Sequence, residues 1–165
     1  MVLVELVAVR VDLSSNTPVV LLQEYDERKR VLPIFIGAPE ATAIAFALQG
    51  VVTPRPMTHD LMKELIDELG ATIDKIVVTE LRDATYFSEI HLTQGPRSMV
   101  ISARPSDSLA IAARSGTEIF VTDELMDSEA VELQNEDGET EENPEEIVSQ
   151  FKGFLDTVRP EDFQS

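Results

Sequence analysis

Two short stretches of this chain, EATAIAFALQ at about 40–49 and DSLAIAARS at about 107–115, have helical composition yet are apolar or small on nearly every face. A helix of that kind cannot rest with one broad side in water and must be covered on more than one side. The chain therefore needs either layers of its own on both sides of these helices or a second subunit. Pro39 suits the first turn of the first helix, where a missing N–H costs nothing, and Gly50 and Gly116 suit the ends.

Covering layers are available. Residues 2–12, 18–25, 31–36, 72–81, 85–93, 98–103 and 118–122 are rich in β-branched and aliphatic residues, partly in alternation, and read as strands. Turn residues separate them: Ser14-Ser15-Asn16, the charged tip Asp26–Arg30, Asp83-Ala84 and Gly95-Pro96. Pro33 places the 31–36 strand at an edge or a bulge. A third helix, at about 59–69, carries Leu61, Met62, Leu65, Ile66 and Leu69 as one apolar stripe, with Lys63, Glu64, Asp67 and Glu68 toward water. The expected fold is α+β: a mixed, mainly antiparallel sheet flanked by about three helices, plus an amphipathic C-terminal helix after an acidic linker. The two nearly all-apolar helices also predict a homo-oligomer, most simply a dimer.

Charge divides the chain. Hydrophobic residues at 43% and charged residues at 27% indicate a globular protein, but 31 acidic residues against 13 basic ones give a net charge of −18. Residues 1–127 carry a net −8 and residues 128–165 a net −10. The predicted organisation is a domain at 1–127, a flexible acidic linker at 128–143 and a C-terminal helix and tail at 144–165. That helix opens on Asn143-Pro144-Glu145-Glu146 and aligns Ile147, Val148, Phe151, Phe154, Leu155 and Val158 on one face, a stripe that must dock on this core, on a second subunit or on a protein partner. The absence of Cys excludes disulfides, zinc ribbons and thiol chemistry. The first residues lack a basic, apolar leader, and no uncharged apolar run approaches a membrane span, so a cytoplasmic protein without membrane partners is expected.

Familiar catalytic signatures are missing. There is no phosphate-binding loop, dinucleotide glycine fingerprint, nucleophile elbow or zinc spacing, and no organic cofactor is indicated. One internal echo remains. Arg55-Pro56 is followed by Thr58 and Asp60, and Arg104-Pro105 by Ser106 and Asp107. Each places an Arg-Pro before a helix start that a hydroxyl residue can cap. Unpaired N–H groups at a helix start and a planar guanidinium both suit phosphate. Glu40, Asp60 and Asp107 put carboxylates at three helix starts, where oxygen ligands can hold Mg²⁺ or Mn²⁺. His59, beside Asp60, is a candidate acid, base or ligand. His91 alternates with Ile90 and Leu92 on a strand and is a weaker candidate. Ordinary capping, and ion pairs of Arg55 and Arg104 with the neighbouring acids, account for the same pattern without catalysis.

The segments LPIFIGAPEATAIAFALQGVVTPRPMTHDLM (32–62), TELRDATYFSEIHL (79–92) and ARPSDSLAIAAR (103–114) together resemble the bifunctional nuclease (BFN) domain family over about residues 1–127. Ala84 departs from the glycine the family often has in that strand turn. The resemblance implies hydrolysis of RNA and DNA without sequence preference. It carries over to Glu40, Arg55, Thr58, His59, Asp60, Arg104, Ser106 and Asp107. The leading expectation is a divalent-metal-assisted nuclease. In it Glu40, Asp60 and Asp107 hold metal and water, Arg55 and Arg104, with Thr58 and Ser106, bind phosphate, and His59 moves the proton. The rival is a non-catalytic binding or regulatory module that uses the helix starts and the C-terminal helix, favoured by a net charge that opposes nucleic-acid binding.

Overall fold

A computed structural model describes residues 1–13 and 15–132. Seven strands form one sheet: β1 (Val2–Asp12), β2 (Thr17–Glu24), β3 (Val31–Phe35), β4 (Thr72–Arg82), β5 (Thr85–Gln94), β6 (Arg97–Ala103) and β7 (Ile119–Val121). Their order is β3-β2-β1-β7-β4-β5-β6. Only β4 and β7 run parallel; the other neighbours are antiparallel. The class is α+β and mixed, as the alternation of strand segments predicts. Pro33 sits in β3, an outermost strand, where its missing N–H breaks no ladder on the free side. Asp83 and Ala84 join β4 to β5 with φ of 50° and 57°, the left-handed pair a two-residue hairpin requires.

Four helices accompany the sheet: α1 (Ala38–Leu48), α2 (Thr58–Glu68), α3 (Pro105–Ser115) and α4 (Asp123–Glu129). The outermost strands β3 and β6 lead directly into α1 and α3. α1 packs on β1 and β2, α3 packs on β4 and β5, and the two helices pack on each other. Ala41 and Ala45 of α1 and Ala110 and Ala112 of α3 are buried, and such small side chains let the helix backbones approach closely. Ile44, Leu109 and Ile111 are fully covered together with Val20, Leu22, Leu32, Ile76 and Val78 of the strands. Each large aliphatic side chain so buried contributes about 1.5–3 kcal/mol. The two all-apolar helices are thus covered by their own sheet and by each other, which removes the argument for a second subunit.

α2 departs from its sequence reading. It packs against α3, and His59 is its only buried residue. Ile66 meets the core, but Leu61, Met62, Leu65 and Leu69 are exposed, the last at 69%. Most of the stripe is therefore exposed, because α2 rests chiefly on α3. α4, absent from the sequence reading, occupies 123–129 and buries Leu125 and Met126. It overlaps the start of the predicted linker, and Val131 then bridges to Val31 of β3. Arg30 locks this corner: its Nε and Nη2 donate to the buried carboxylate of Glu24 at 2.9 and 3.0 Å, and its Nη1 donates to Asp127 at 2.7 Å. The remaining linker and the helix predicted at 144–165 lie outside the described residues. Among the described residues no helix is long and apolar enough to cross a membrane.

Candidate functional site

Three helix starts meet. Glu40, Asp60 and Asp107 each occupy the third position of a helix, following Ala38-Pro39, Thr58-His59 and Pro105-Ser106. A carboxylate in a first turn is favoured by the partial positive charge of the helix N-terminus. The predicted hydroxyl caps are not formed. The cap positions belong to Met57 and Arg104, because the helices begin at Thr58 and Pro105, which turns Thr58 and Ser106 into first-turn residues. Thr58 is exposed and Ser106 is buried.

Asp107 is the centre of the cluster. Arg104 Nε donates to its Oδ2 at 2.8 Å and Arg104 Nη2 to its Oδ1 at 3.0 Å. The same Nη2 lies 3.0 Å from Glu40 Oε1, so one guanidinium bridges the starts of α1 and α3. His59 Nε2 lies 3.1 Å from Asp107 Oδ1, bringing in α2 from 48 residues away. Burial pushes the Asp107 carboxyl up, but the hydrogen bonds from Arg104 and His59 outweigh it and hold the group below its ordinary value. An ionised carboxylate only accepts, so Nε2 carries the hydrogen of this contact. No fully buried side-chain nitrogen or oxygen among the described residues lacks a partner. No hydrogen bond to Nδ1 is made among the described residues, and the ring as a whole is buried. Glu40 Oε2 folds back toward Gly37, the residue before α1.

Asp60 takes a different partner. Its Oδ2 accepts the Met57 N–H at 2.9 Å, and its Oδ1 binds Arg114 Nε. Arg114 Nη1 also donates to Ala110 O at 2.8 Å and Nη2 to Ala43 O at 3.1 Å, so this nearly buried side chain joins α1, α2 and α3. Burial pushes Asp60 up, while Arg114 and the Met57 N–H pull it down further, leaving it below its ordinary value. The Arg-Pro echo is thus imperfect. Arg104 stands one residue before its helix and reaches its own first turn. Arg55 stands three residues before α2, is exposed, and has no side-chain partner among the described residues. Arg114 fills the place that the echo assigns to Arg55. It lies 54 residues beyond Asp60, and no local pattern marks the pairing.

Two serines support the α3 start. Ser88 Oγ, on β5, donates to Ala103 O at 2.9 Å and lies 2.9 Å from Ser108 Oγ, whose own contact with Pro105 O is 3.0 Å. His91 stands apart on β5, 3.1 Å from Glu89 Oε2. The carboxylates do not form a ready cation site. Among the described residues no three His, Asp or Glu side chains are disposed to hold a metal ion. The Arg104 guanidinium already stands between Glu40 and Asp107, and Asp60 is turned to Arg114. The predicted metal set therefore does not fit this arrangement.

A family model described as the bifunctional nuclease domain matches residues 20–134, a span that includes all of these side chains. An uncharacterized protein of Mycobacterium tuberculosis is 40% identical over 164 residues, covering 98% of each chain. Bifunctional nuclease 2 of Oryza sativa is 26% identical over 121 residues, which is 72% of this chain and 37% of that protein. Bifunctional nuclease 1 of Arabidopsis thaliana is 28% identical over 119 residues, 70% of this chain and again 37% of the plant protein.

Proposed function

This chain belongs to the bifunctional nuclease domain family, and from that premise we propose that it hydrolyses phosphodiester bonds in RNA and DNA with little sequence preference. The observation that carries the proposal is the His59–Asp107–Arg104–Glu40 cluster, assembled from three helix starts. His59 Nδ1 takes a proton from a water molecule as the water oxygen attacks phosphorus; the bond from phosphorus to one sugar oxygen breaks, that oxygen takes a proton from solvent, and the imidazolium returns its own proton to solvent. Asp107 fixes the imidazole tautomer and orientation and stabilises the imidazolium that forms. Arg104, two-thirds exposed, turns part of its fork from Glu40 to the phosphate and offsets the charge that develops there. Arg55 adds a phosphate contact at the approach to α2. No step in this scheme runs through a metal ion.

The test is cleavage of end-labelled single-stranded RNA and DNA by the full chain and by His59→Ala, each in EDTA and with added Mg²⁺ or Mn²⁺. The reading expects both substrates to be cut, at least about a hundredfold more slowly by the variant, with most activity kept in EDTA. Complete loss in EDTA would bring a divalent ion into the reaction and require Arg104 to release Glu40 and Asp107. A second reading rests on the outward apolar face of α2: Leu61, Met62, Leu65 and Leu69 suit a protein partner, and the chain would then be a binding module. Cleavage that is equal for the full chain and a folded His59→Ala variant would favour it.

A further inference from the structure

We infer that the site takes short oligonucleotides, reading one or two phosphates, and not long strands; this rests on the nuclease reading and sets its substrate class. Residues 1–132 contain eleven basic side chains, and six of them are bound to carboxylates. Arg10 is also engaged, and Lys75 lies over the Phe120 ring. That leaves Lys29, Arg55 and Arg97.

Lys29 and Arg97 are far from the cluster along the fold. Lys29 sits in the hairpin before Val31, at the end of β3 opposite the α1 start. Arg97 opens β6, six residues and roughly 20 Å of extended strand from Ala103, which precedes the site. Arg55 is four residues from His59, within about 15 Å even if that link is fully extended. The phosphate contacts on offer are therefore Arg55 and, once it loosens from its acids, Arg104.

The surroundings point the same way. Glu40, Asp60 and Asp107 occupy the helix starts, and Glu64, Asp67 and Glu68 follow along α2. A long strand running beyond two phosphates meets carboxylates where a polynucleotide groove needs a row of cations. Affinity for single strands falls with salt with a logarithmic slope of about −0.7 per neutralised phosphate, so two contacts give about −1.4.

The experiment measures kcat/KM for one labelled dinucleotide step, presented in a trinucleotide and in a strand of about 20 nucleotides, from low to moderate salt. The expected result is that the two substrates agree within about threefold per bond, with a salt slope no steeper than about −1.5. Arg55→Ala should lower both values by the same factor and flatten the slope by about 0.7. A preference above tenfold for the long strand, with a slope steeper than about −3, would overturn the inference while leaving the nuclease reading intact. No cleavage of either substrate would remove that reading and this inference with it.

Discussion

His59 Nε2 and Asp107 Oδ1 lie 3.1 Å apart, joining the first turns of two helices that are separated by three strands in the chain. Asp107 is held ionised by Arg104 and His59 against the effect of its own burial. The contact fixes which imidazole nitrogen carries the hydrogen, and the proposed reaction depends on that. Asp107→Asn keeps the shape but no longer dictates the tautomer. Its kcat is expected to fall at least about a hundredfold, with KM nearly unchanged, in steady-state cleavage assays.

Arg114 is a positioning residue. It touches Asp60, Ala43 O and Ala110 O, and so sets α2 against α1 and α3 without reaching the His59–Asp107 pair. Arg114→Ala leaves a carboxylate and two carbonyls short of a partner and should lower unfolding stability by about 2–4 kcal/mol. Asp60→Ala should be less costly. The double variant should be less destabilised than the sum of the two, by about 1–3 kcal/mol, in urea titrations. In the folded fraction, Arg114→Lys should lower kcat more than it raises KM.

Acid should unfold the protein through a few identifiable groups. Glu24 is held below its ordinary value chiefly by the hydrogen bond from Arg30, and Asp60 and Asp107 are held low by Arg114 and Arg104 despite burial. For each, the unfolded chain binds a proton more readily than the folded one. The stability they contribute is complete above the ordinary values of 4.5 and 3.8 and is lost as pH falls through the lower folded values. Thermal unfolding should therefore be nearly independent of these groups above about pH 5.5 and drop steeply below about pH 4.5. Asp107→Asn should make that drop shallower, as followed by circular dichroism.

Ala84 carries a φ of 57° in the β4–β5 turn, a conformation that costs an L side chain roughly 1–2 kcal/mol. Glycine removes that strain and returns part of the gain as unfolded-chain entropy. Ala84→Gly should stabilise the fold by about 0.5–1 kcal/mol, with no change in cleavage, since the turn is outside the cluster.

Much of the fold is legible because its signals are local. Gly, Pro and Asp-Ala punctuation separates segments that become β1 to β7, and the small apolar faces of α1 and α3 demand the enclosure they receive. The meeting of Arg104 and Asp107 is likewise local, three residues apart in one first turn. The junction with Glu40 and His59 follows from how α1, α2 and α3 pack, which spacing alone does not determine. Three features have no local signature. Arg114 finds Asp60 only through the packing of α3 on α2. The leucines of α2 carry a buried-helix pattern, yet they are exposed, because α2 rests chiefly on α3 and only His59 and Ile66 of it turn inward. α4 has a short and strongly acidic sequence, and it is held by Leu125 and Met126 and by the Arg30–Asp127 pair.

The most direct measurement compares cleavage of labelled single-stranded RNA by the full chain, His59→Ala, Asp107→Asn and the double variant, all purified and shown to be folded. If the pair acts as one unit, each single variant loses at least about a hundredfold and the double variant loses no more than the worse single one. Losses that multiply in the double variant, or four equal rates, would contradict the account.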